Sequence, residues 1–189
     1  NRDGKIGTGG CTYCDNSAFH PGYSTAGKPI LAQIDEGIEF HRVRYRNARH
    51  FLAYFQSFSN TYAPVDKLRA LYAEALSHPE VVGIVIGTRP DCVDEEKLDM
   101  LAEFAKDHIV IVEYGIESCH DKTLERINRG HDFACAKKAV EMTAERGIPV
   151  GAHFILGLPG EGPEDFAEHA RRLSELPLST LKLHQLQII

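Results

Sequence analysis

Residues 109–118, with the sequence IVIVEYGIES, decide the fold class of this chain. The continuous apolar run predicts a strand over residues 109–114. The strand finishes with a carboxylate, Glu113, and then enters a loop, residues 115–118, that carries a second acid, Glu117. An all-apolar strand of this kind is typical of a parallel sheet on which helices pack.

The same arrangement recurs on both sides of this segment. The apolar run at residues 51–58 predicts a strand that is buried on both faces. Apolar residues at helical spacing, with Pro29, Asp94 and Pro163 as start signals and Gly130 and Gly147 as stop signals, predict helices between the strands. The remaining predicted strands are residues 81–87, 148–156 and 181–189. Helices are predicted for residues 30 to about 40–47, 65–77, 123–128, 133–146 and 163–176, and for the segment that follows Asp94.

Strand, loop and helix therefore alternate at roughly 30-residue spacing, which indicates βαβ units and a parallel α/β sheet. Such units close into a barrel or form an open doubly wound sheet, and in both the functional loops gather at the carboxyl ends of the strands. Polar residues follow four successive predicted strands at this edge: Gln56, Ser57 and Asn60; Thr88, Arg89 and Asp91; Glu113, Glu117 and Ser118; Gly157, Gly160 and Glu161.

A glycine-rich loop near the start of the chain carries a cysteine pair. Residues 7–14 read GTGGCTYC, so that Cys11 and Cys14 are three positions apart. Glycines allow two thiolates to converge on one soft metal centre. The pair alone leaves three alternatives open, which are a zinc site, a dithiol redox centre and an iron–sulfur cluster.

Composition limits the class of protein. A chain of 189 residues is long enough for one domain with a buried core, and its net charge of −6 gives no overall basic field for nucleic acid. Five cysteines, an odd number with three of them scattered singly, do not resemble a disulfide framework. With no apolar run long enough to span a membrane and no signal-peptide pattern, we expect a cytoplasmic protein and no membrane contact.

One segment, residues 41–50, is densely basic and contains an aromatic residue, Tyr45. It is interpreted as the solvated end of a helix, where cations favour the helix dipole, or as a contact with RNA or phosphate.

Several motifs together resemble the radical S-adenosylmethionine (SAM) superfamily, and within it the YhcC/YtqA-like family, which is related to the Elongator catalytic subunit and to oxygen-independent coproporphyrinogen oxidases. The residues that carry this resemblance span nearly the whole chain: 1–4 with the cysteine loop, 53–56, 60–64, 87–92, 113–118, 128–131 and 157–161.

The resemblance implies a partial (β/α)6 barrel similar to a TIM barrel, truncated at both ends, with residues 1–189 as a fragment of the core domain. It also implies a 4Fe-4S cluster, SAM, and a reductant such as flavodoxin or ferredoxin. Cys11 and Cys14 would ligate the cluster, and the first cysteine and the first strand are expected upstream of Asn1. The implied reaction is reductive cleavage of SAM to a 5′-deoxyadenosyl radical.

Roles for individual residues follow from the same resemblance. Gln56, Ser57 and Asn60 stand where the methionyl amino group binds, although this chain lacks the usual Gly-Gly-Glu there. Glu113 and Glu117 would hold the ribose hydroxyls beside Ser118, with helix capping or an ion pair to Arg89 or Arg129 as the alternative. Arg129 would meet the SAM carboxylate, and the remaining cofactor contacts, near the adenine, would be Tyr13, Gly157 and Gly160. Catalytic residues that act on the substrate are not identified.

The substrate implied by the relationship to Elongator is tRNA, with wobble uridine modification as the reaction. The alternative is a zinc-binding or dithiol redox module that uses Cys11 and Cys14, although no second ligand pair at zinc spacing is present in the sequence. His153 is interpreted as a core histidine, with a place in the lining of the cavity as the alternative. Cys92 and Cys119 are interpreted as structural, with a role as extra ligands or donors as the alternative.

Overall fold

The computed structural model describes residues 8–14, 21–25 and 27–186. Within these ranges, five strands and six α-helices alternate. In chain order they are α1 (Ile30–Arg44), β1 (Phe51–Phe55), α2 (Val65–Leu76), β2 (Val81–Thr88), α3 (Glu95–Phe104), β3 (Ile109–Glu117), α4 (Asp121–Arg126), α5 (Phe133–Ala144), β4 (Val150–Leu156), α6 (Pro163–Ser174) and β5 (Thr180–Gln185), with a 3-10 turn at Pro90–Cys92 after β2.

The five described strands form one sheet in the order β1-β2-β3-β4-β5, and all neighbouring pairs are parallel. Each strand therefore lies beside the one that follows it in the chain, as expected for the partial barrel that the resemblance implied. All carboxyl ends meet at one edge of the sheet, which we call the carboxyl edge.

The sheet is curled into a half-barrel. Its convex face packs on the helices, where Tyr114 and Phe154 are fully buried and the Tyr114 hydroxyl lies 2.7 Å from Thr143 Oγ1. On the concave face, Lys182 Nζ of β5 donates to the Tyr54 hydroxyl of β1 at 3.1 Å. Strands in a flat sheet are about 4.8 Å apart, so only strong curvature brings side chains of the first and fifth strands into contact. The predicted partial (β/α) barrel is thus confirmed.

The prediction that the first strand is buried on both faces was wrong. Leu52 and Tyr54 are 40% and 39% exposed, because they face the concave side, which the described helices do not cover. The strand is also shorter than predicted and ends at Phe55, so that residues 56–58 follow it as a bend.

The third strand is longer than predicted and continues through Gly115 and Ile116 to Glu117. Gly115 and Glu117 pair with His153 and Phe154 across an irregularity in the register. Glu113 therefore lies within the strand, on the concave face, and does not mark its end.

The predicted helices are present, with ends that differ by a few residues. Asp94 caps α3 by accepting a hydrogen bond from the Lys97 backbone at 3.0 Å, and Gly147 follows α5 with a φ of +72°. Of the last predicted strand, residues 187–189 lie outside the described residues. Among the described helices, none combines the length and apolar character that a membrane-spanning helix needs.

Candidate functional site at the carboxyl edge

The cysteine loop is held against the end of α4. Thr12 N donates to Ile127 O at 3.1 Å, and the side-chain amide of Asn128 donates to the carbonyls of Thr8 and Gly10 at 3.0 and 2.7 Å. Gly9 and Gly10 have φ values of +85° and +75°, a conformation that glycine adopts without strain. The loop therefore lies at the carboxyl edge, although it is far in sequence from α4.

Arg129 connects the cysteine loop to the end of β3. Its Nη1 lies 3.4 Å from Cys11 Sγ, and its Nη2 donates to Gly115 O and lies 3.6 Å from Glu117 Oε1. Arg129 is 7% exposed and Glu117 8% exposed. A buried guanidinium therefore lies directly beside a cysteine sulfur, and cysteine sulfurs are the usual ligands of iron–sulfur clusters.

The surroundings of Arg129 and Glu117 shift several pKa values. Burial raises the pKa of Glu117, and Arg129 partly offsets that effect. Burial alone would lower the pKa of Arg129, but Glu117, Tyr13 and Cys11 outweigh it and raise the pKa. Burial, with the nearby Arg129, lowers the pKa of His131 to about 4. His131 is therefore a neutral acceptor at neutral pH, and Arg129 Nε donates to its Nε2 at 3.0 Å.

Glu117 has a backbone φ of +71°, which is unusual for a residue with a side chain. Such strain persists where the surrounding structure enforces it, and it occurs often at functional sites. Gly115 allows the arrangement, since a Cβ there would lie 2.5 Å from both Arg129 Nη2 and Glu117 Oε1. Tyr13 completes the group beside Cys11 and Glu117, and burial, with the charge of Glu117, raises its pKa.

The residues after β1 serve different purposes. The Asn60 amide donates to Phe55 O and Gly87 O at 2.9 and 2.8 Å, so it joins the ends of β1 and β2 and is not open to a ligand. Gln56 is exposed, and Ser57 is partly exposed.

The loop after β4 is fixed by buried polar contacts that the sequence reasoning missed. Ser118 Oγ donates to Glu161 Oε1, and Glu161 Oε2 lies 3.1 Å from His169 Nε2. Ser118 is thus directed at this loop and not at the Arg129 pair. Gly157 has a φ of +84° with no atom within 4 Å of a Cβ built there, which leaves its backbone open to a ligand.

A second polar group, also missed, lies on the concave face. Glu113 accepts from the Tyr54 hydroxyl at 2.5 Å, lies 2.7 Å from His153 Nε2 and 3.5 Å from Lys182 Nζ. The pKa of Glu113 is lowered to about 2, chiefly by the hydrogen bond from His153. The hydrogen bond from Tyr54 and the charge of Lys182 act in the same direction, and partial burial opposes them. The available sequence signal was the alternation of polar residues in β5, at Thr180, Lys182 and His184, together with the single polar residue of β4, His153.

The zinc alternative gains no support from the described residues. There, the group of three or more His, Cys, Asp or Glu side chains whose ligand atoms all lie within 4.8 Å of one another is His120, Glu161 and His169, and it includes neither cysteine of the loop. Cys92 and Cys119 are 5% and 1% exposed, as expected for structural thiols.

The structure thus brings Cys11, Tyr13, Glu117 and Arg129 together. It places Glu113, Asn60 and Ser118 in separate contacts. The alternative interpretation of Glu117 as an ion-pair partner of Arg129 is confirmed, whereas Arg89 pairs with Asp91 at 2.7 Å.

A family model described as the radical SAM superfamily matches residues 4–173. The chain belongs to this superfamily, whose members are enzymes. It is 41% identical over its whole length to protein YhcC of Escherichia coli K12, of which it covers 60%. It is 34% identical to the uncharacterized protein YtqA of Bacillus subtilis, of which it covers 58%. The chain therefore spans about 60% of the length of these curated relatives. A tRNA uridine(34) acetyltransferase of Dehalococcoides mccartyi is 30% identical over 96 residues, which cover 51% of this chain and 20% of that protein.

Solved structures agree with the half-barrel fold. An archaeal Elp3 from Methanocaldococcus infernus superposes with a TM-score of 0.73 at 16% identity, over 85% of this chain and 42% of that one. The coproporphyrinogen III oxidase HemN from Escherichia coli, described as a radical SAM enzyme, gives a TM-score of 0.64 at 18% identity, over 96% and 42% of the two chains.

Proposed function

We propose that the protein containing this chain is a radical SAM enzyme and that residues 1–189 belong to its core domain. The observation that carries the proposal is the contact of Cys11 Sγ with Arg129, which pairs with Glu117 at the carboxyl edge of a half-barrel. Cys11 and Cys14 would hold a 4Fe-4S cluster there, and the cluster would supply the electron for reductive cleavage of SAM to the 5′-deoxyadenosyl radical that acts on a substrate.

The donor set suits such a cluster. Cys11 and Cys14 lie in one turn, in which Cys14 N donates to Cys11 O at 3.2 Å, and thiolates are the usual ligands of iron–sulfur clusters. Burial raises the pKa of the Cys92 thiol and raises that of Cys119 to about 12, so these two are poor candidates for the third ligand. A third cysteine upstream of Asn1 stays a prediction.

Within this proposal, the buried carboxylate of Glu117 holds the ribose hydroxyls and Arg129 meets the SAM carboxylate. Tyr13, Gly157 and Gly160 lie along the adenine, with the backbone open at Gly157 and the Arg126 side chain beside Gly160. Gln56 and Ser57 bind the methionyl amino group, as the resemblance implies, and the Asn60 amide is engaged with the backbone of β1 and β2. Glu113 belongs to the concave face, and we do not assign it to the ribose.

We further propose that the substrate is tRNA, modified at the wobble uridine, and that flavodoxin or ferredoxin supplies the electron in the cytoplasm. The name of the D. mccartyi relative, a tRNA uridine(34) acetyltransferase, supports this substrate class. The basic segment at residues 41–50 supports it as well, since arginines bind phosphate.

Two experiments test the proposal. The full-length protein, reconstituted anaerobically with iron and sulfide, is expected to form 5′-deoxyadenosine from SAM, and Cys11→Ser and Cys14→Ser should abolish this. Absence of both cluster and cleavage in the wild type would refute the enzyme class. Comparison of tRNA nucleosides from cells with and without the gene tests the substrate, and identical profiles would refute tRNA while leaving the SAM chemistry intact.

A further inference from the structure

Five polar side chains form a connected group on the concave face, which we call the concave cluster. It consists of Tyr54, Glu113, His153, Lys182 and His184. The cofactor site proposed above uses none of them. A charged and hydrogen-bonded group on a barrel surface contributes little stability compared with apolar packing, so its presence calls for a chemical explanation.

Glu113 fixes the protonation of its neighbour. Its carboxylate is ionised and can only accept hydrogen bonds, so His153 presents a proton to it from Nε2 across the 2.7 Å contact. In a neutral imidazole the other nitrogen, Nδ1, is then an acceptor. His153 Nδ1 lies 3.4 Å from His184 Nε2, which therefore donates to it and leaves Nδ1 of His184 with a free lone pair.

The three residues rise step by step toward the carboxyl edge. Glu113 is in register with Gly151 of β4, His153 lies two residues further along β4, and His184 is in register with Ile155, two residues further again. Glu117 pairs with Phe154, so His184 ends at the level of the proposed cofactor site. The group thus leads from the interior of the half-barrel to the place where a substrate meets the cofactor.

A purely structural role does not account for His184. Contacts among Tyr54, Glu113 and Lys182 already connect β1 to β5, and the imidazole of His184 lies outside that bridge. Lys182 also keeps binding capacity, since its ammonium has three donors, its contacts to Tyr54 and Glu113 use two, and its side chain is 42% exposed.

We propose that the concave cluster is a proton-accepting site for the substrate, in which His184 takes a proton from an N–H or O–H group that lies beside a carbonyl oxygen, and Lys182 binds that oxygen. The N–H or O–H bond breaks, its electron pair stays on the substrate and spreads to the oxygen beside Lys182, and the proton bonds to His184 Nδ1. No electron is gained or lost. The positive charge on His184 is stabilised through His153 by Glu113.

The environment keeps His184 in the basic form. Burial, with His153 of β4 and Lys182 of its own strand, lowers the pKa of His184, while Glu113 of β3 acts in the opposite direction. The phenol of Tyr54 on β1 stays protonated, because burial and Glu113 raise its pKa. The substrate class rests on the proposed function, since the imide of uridine offers an N–H flanked by carbonyl oxygens.

Nuclear magnetic resonance of the full-length protein, with isotope-labelled histidine, tests the proton relay without a substrate. We expect His153 and His184 both to carry hydrogen on Nε2 at neutral pH, and His184 to titrate at lower pH than an ordinary histidine. His153→Asn and His184→Asn assign the signals. Hydrogen on Nδ1 of His153, or a doubly protonated His184 at neutral pH, would overturn the proposal.

Turnover with bulk tRNA as the probe tests the chemistry. In the reconstituted full-length protein, His184→Asn should slow tRNA-dependent formation of 5′-deoxyadenosine about 100-fold and remove the loss of rate that the wild type shows as the pH falls. His108→Asn, at the opposite edge of the sheet, is the matched control. A wild-type rate in His184→Asn would overturn the proposal. If the wild type cleaves SAM without any response to tRNA, the proposed substrate is wrong. The nuclear magnetic resonance spectra of the histidines then test whether His153 and His184 carry their protons as proposed.

Discussion

Arg129 contacts three separate parts of the carboxyl edge, which are Cys11, the carbonyl of Gly115 and the carboxylate of Glu117. Removing one partner of a buried ion pair leaves an uncompensated charge. We therefore expect Arg129→Ala to lower the free energy of unfolding of the metal-free protein by roughly 3–5 kcal/mol. Arg129→Lys should recover only part of this, because an ammonium lacks the planar array of donors.

Urea denaturation of the full-length protein measures this effect. The matched control is Arg171→Ala, since Arg171 forms an exposed pair with Glu175 at 2.8 Å and such pairs contribute less than about 1 kcal/mol. Equal losses in the two variants would show that the contacts of Arg129 stabilise the protein no more than those of an exposed arginine.

The stability of the protein depends on pH through the ionisation of Glu113. Its pKa falls from 4.5 to about 2 on folding, chiefly through the hydrogen bond with His153, so the folded state favours the ionised form. The resulting stabilisation is complete above pH 4.5 and is lost as the pH falls from there to about 2. We expect Glu113→Gln to reduce stability at neutral pH by roughly 1–2 kcal/mol, after allowance for solvent screening, and by much less near pH 2.

Denaturation midpoints measured across this pH range provide the check, with Glu145→Gln on the exposed surface as the control. A difference between wild type and Glu113→Gln that stays constant with pH would contradict the assignment of charge to Glu113.

At the scale of elements, the turn between α4 and α5 holds the cysteine loop. Asn128 in this turn has a φ of +53° and donates to the carbonyls of Thr8 and Gly10. Asn128→Gly keeps the backbone conformation but removes both hydrogen bonds, so we expect the reconstituted protein to lose iron to a chelator several-fold faster. Asn128→Asp replaces the donor by a carboxylate that repels the two carbonyls, and the loss should be at least as large. Iron retained as in the wild type by both variants would show that the side chain does not position the loop.

Strands and helices were largely predictable because each has a local signal. Apolar runs gave β2 and β4, and Asp94, Pro163 and Gly147 marked helix ends through capping and backbone preference. The errors came from contacts that are distant in sequence. Gly115 looks like a loop residue, yet it continues β3 by pairing with His153, and Arg129 occupies the space where a side chain would be.

A motif indicated the cysteine loop, and the structure places Cys11 beside Arg129, while cluster ligation by Cys11 and Cys14 stays a prediction. Contacts that depend on tertiary packing were not predictable. Whether Asn60 faces a ligand or joins two strands depends on the position of Gly87 O, and the concave cluster exists only because curvature brings Tyr54 to Lys182. The alternation of residues along a strand predicts which side chains share a face of the sheet, but it does not predict how strongly the sheet curves.

At the scale of the whole molecule, the candidate site and the basic segment lie at opposite edges of the sheet. Residues 41–50 connect the end of α1 to the start of β1, and Arg42 pairs there with Glu80, just before β2. The 15-residue α1 spans about 22 Å, so a ligand that contacts both regions must be at least that long. A tRNA stem meets this requirement, whereas a small metabolite does not.

This geometry gives a test of the basic segment. Arg44, Arg46 and Arg49 are all exposed, and Arg44 stacks on Tyr45 at 5.6 Å. If they contact phosphates, changing all three to Glu should weaken tRNA binding at low salt by about tenfold or more and flatten the dependence of affinity on salt.

The control changes Lys67, Lys137 and Lys138 to Glu, since these exposed lysines give the same change in net charge on other helices. Fluorescence anisotropy of labelled tRNA over a range of salt concentrations makes the comparison. An equal loss in both variants would indicate a general effect of charge, and no loss would mean that the segment is a solvated helix end.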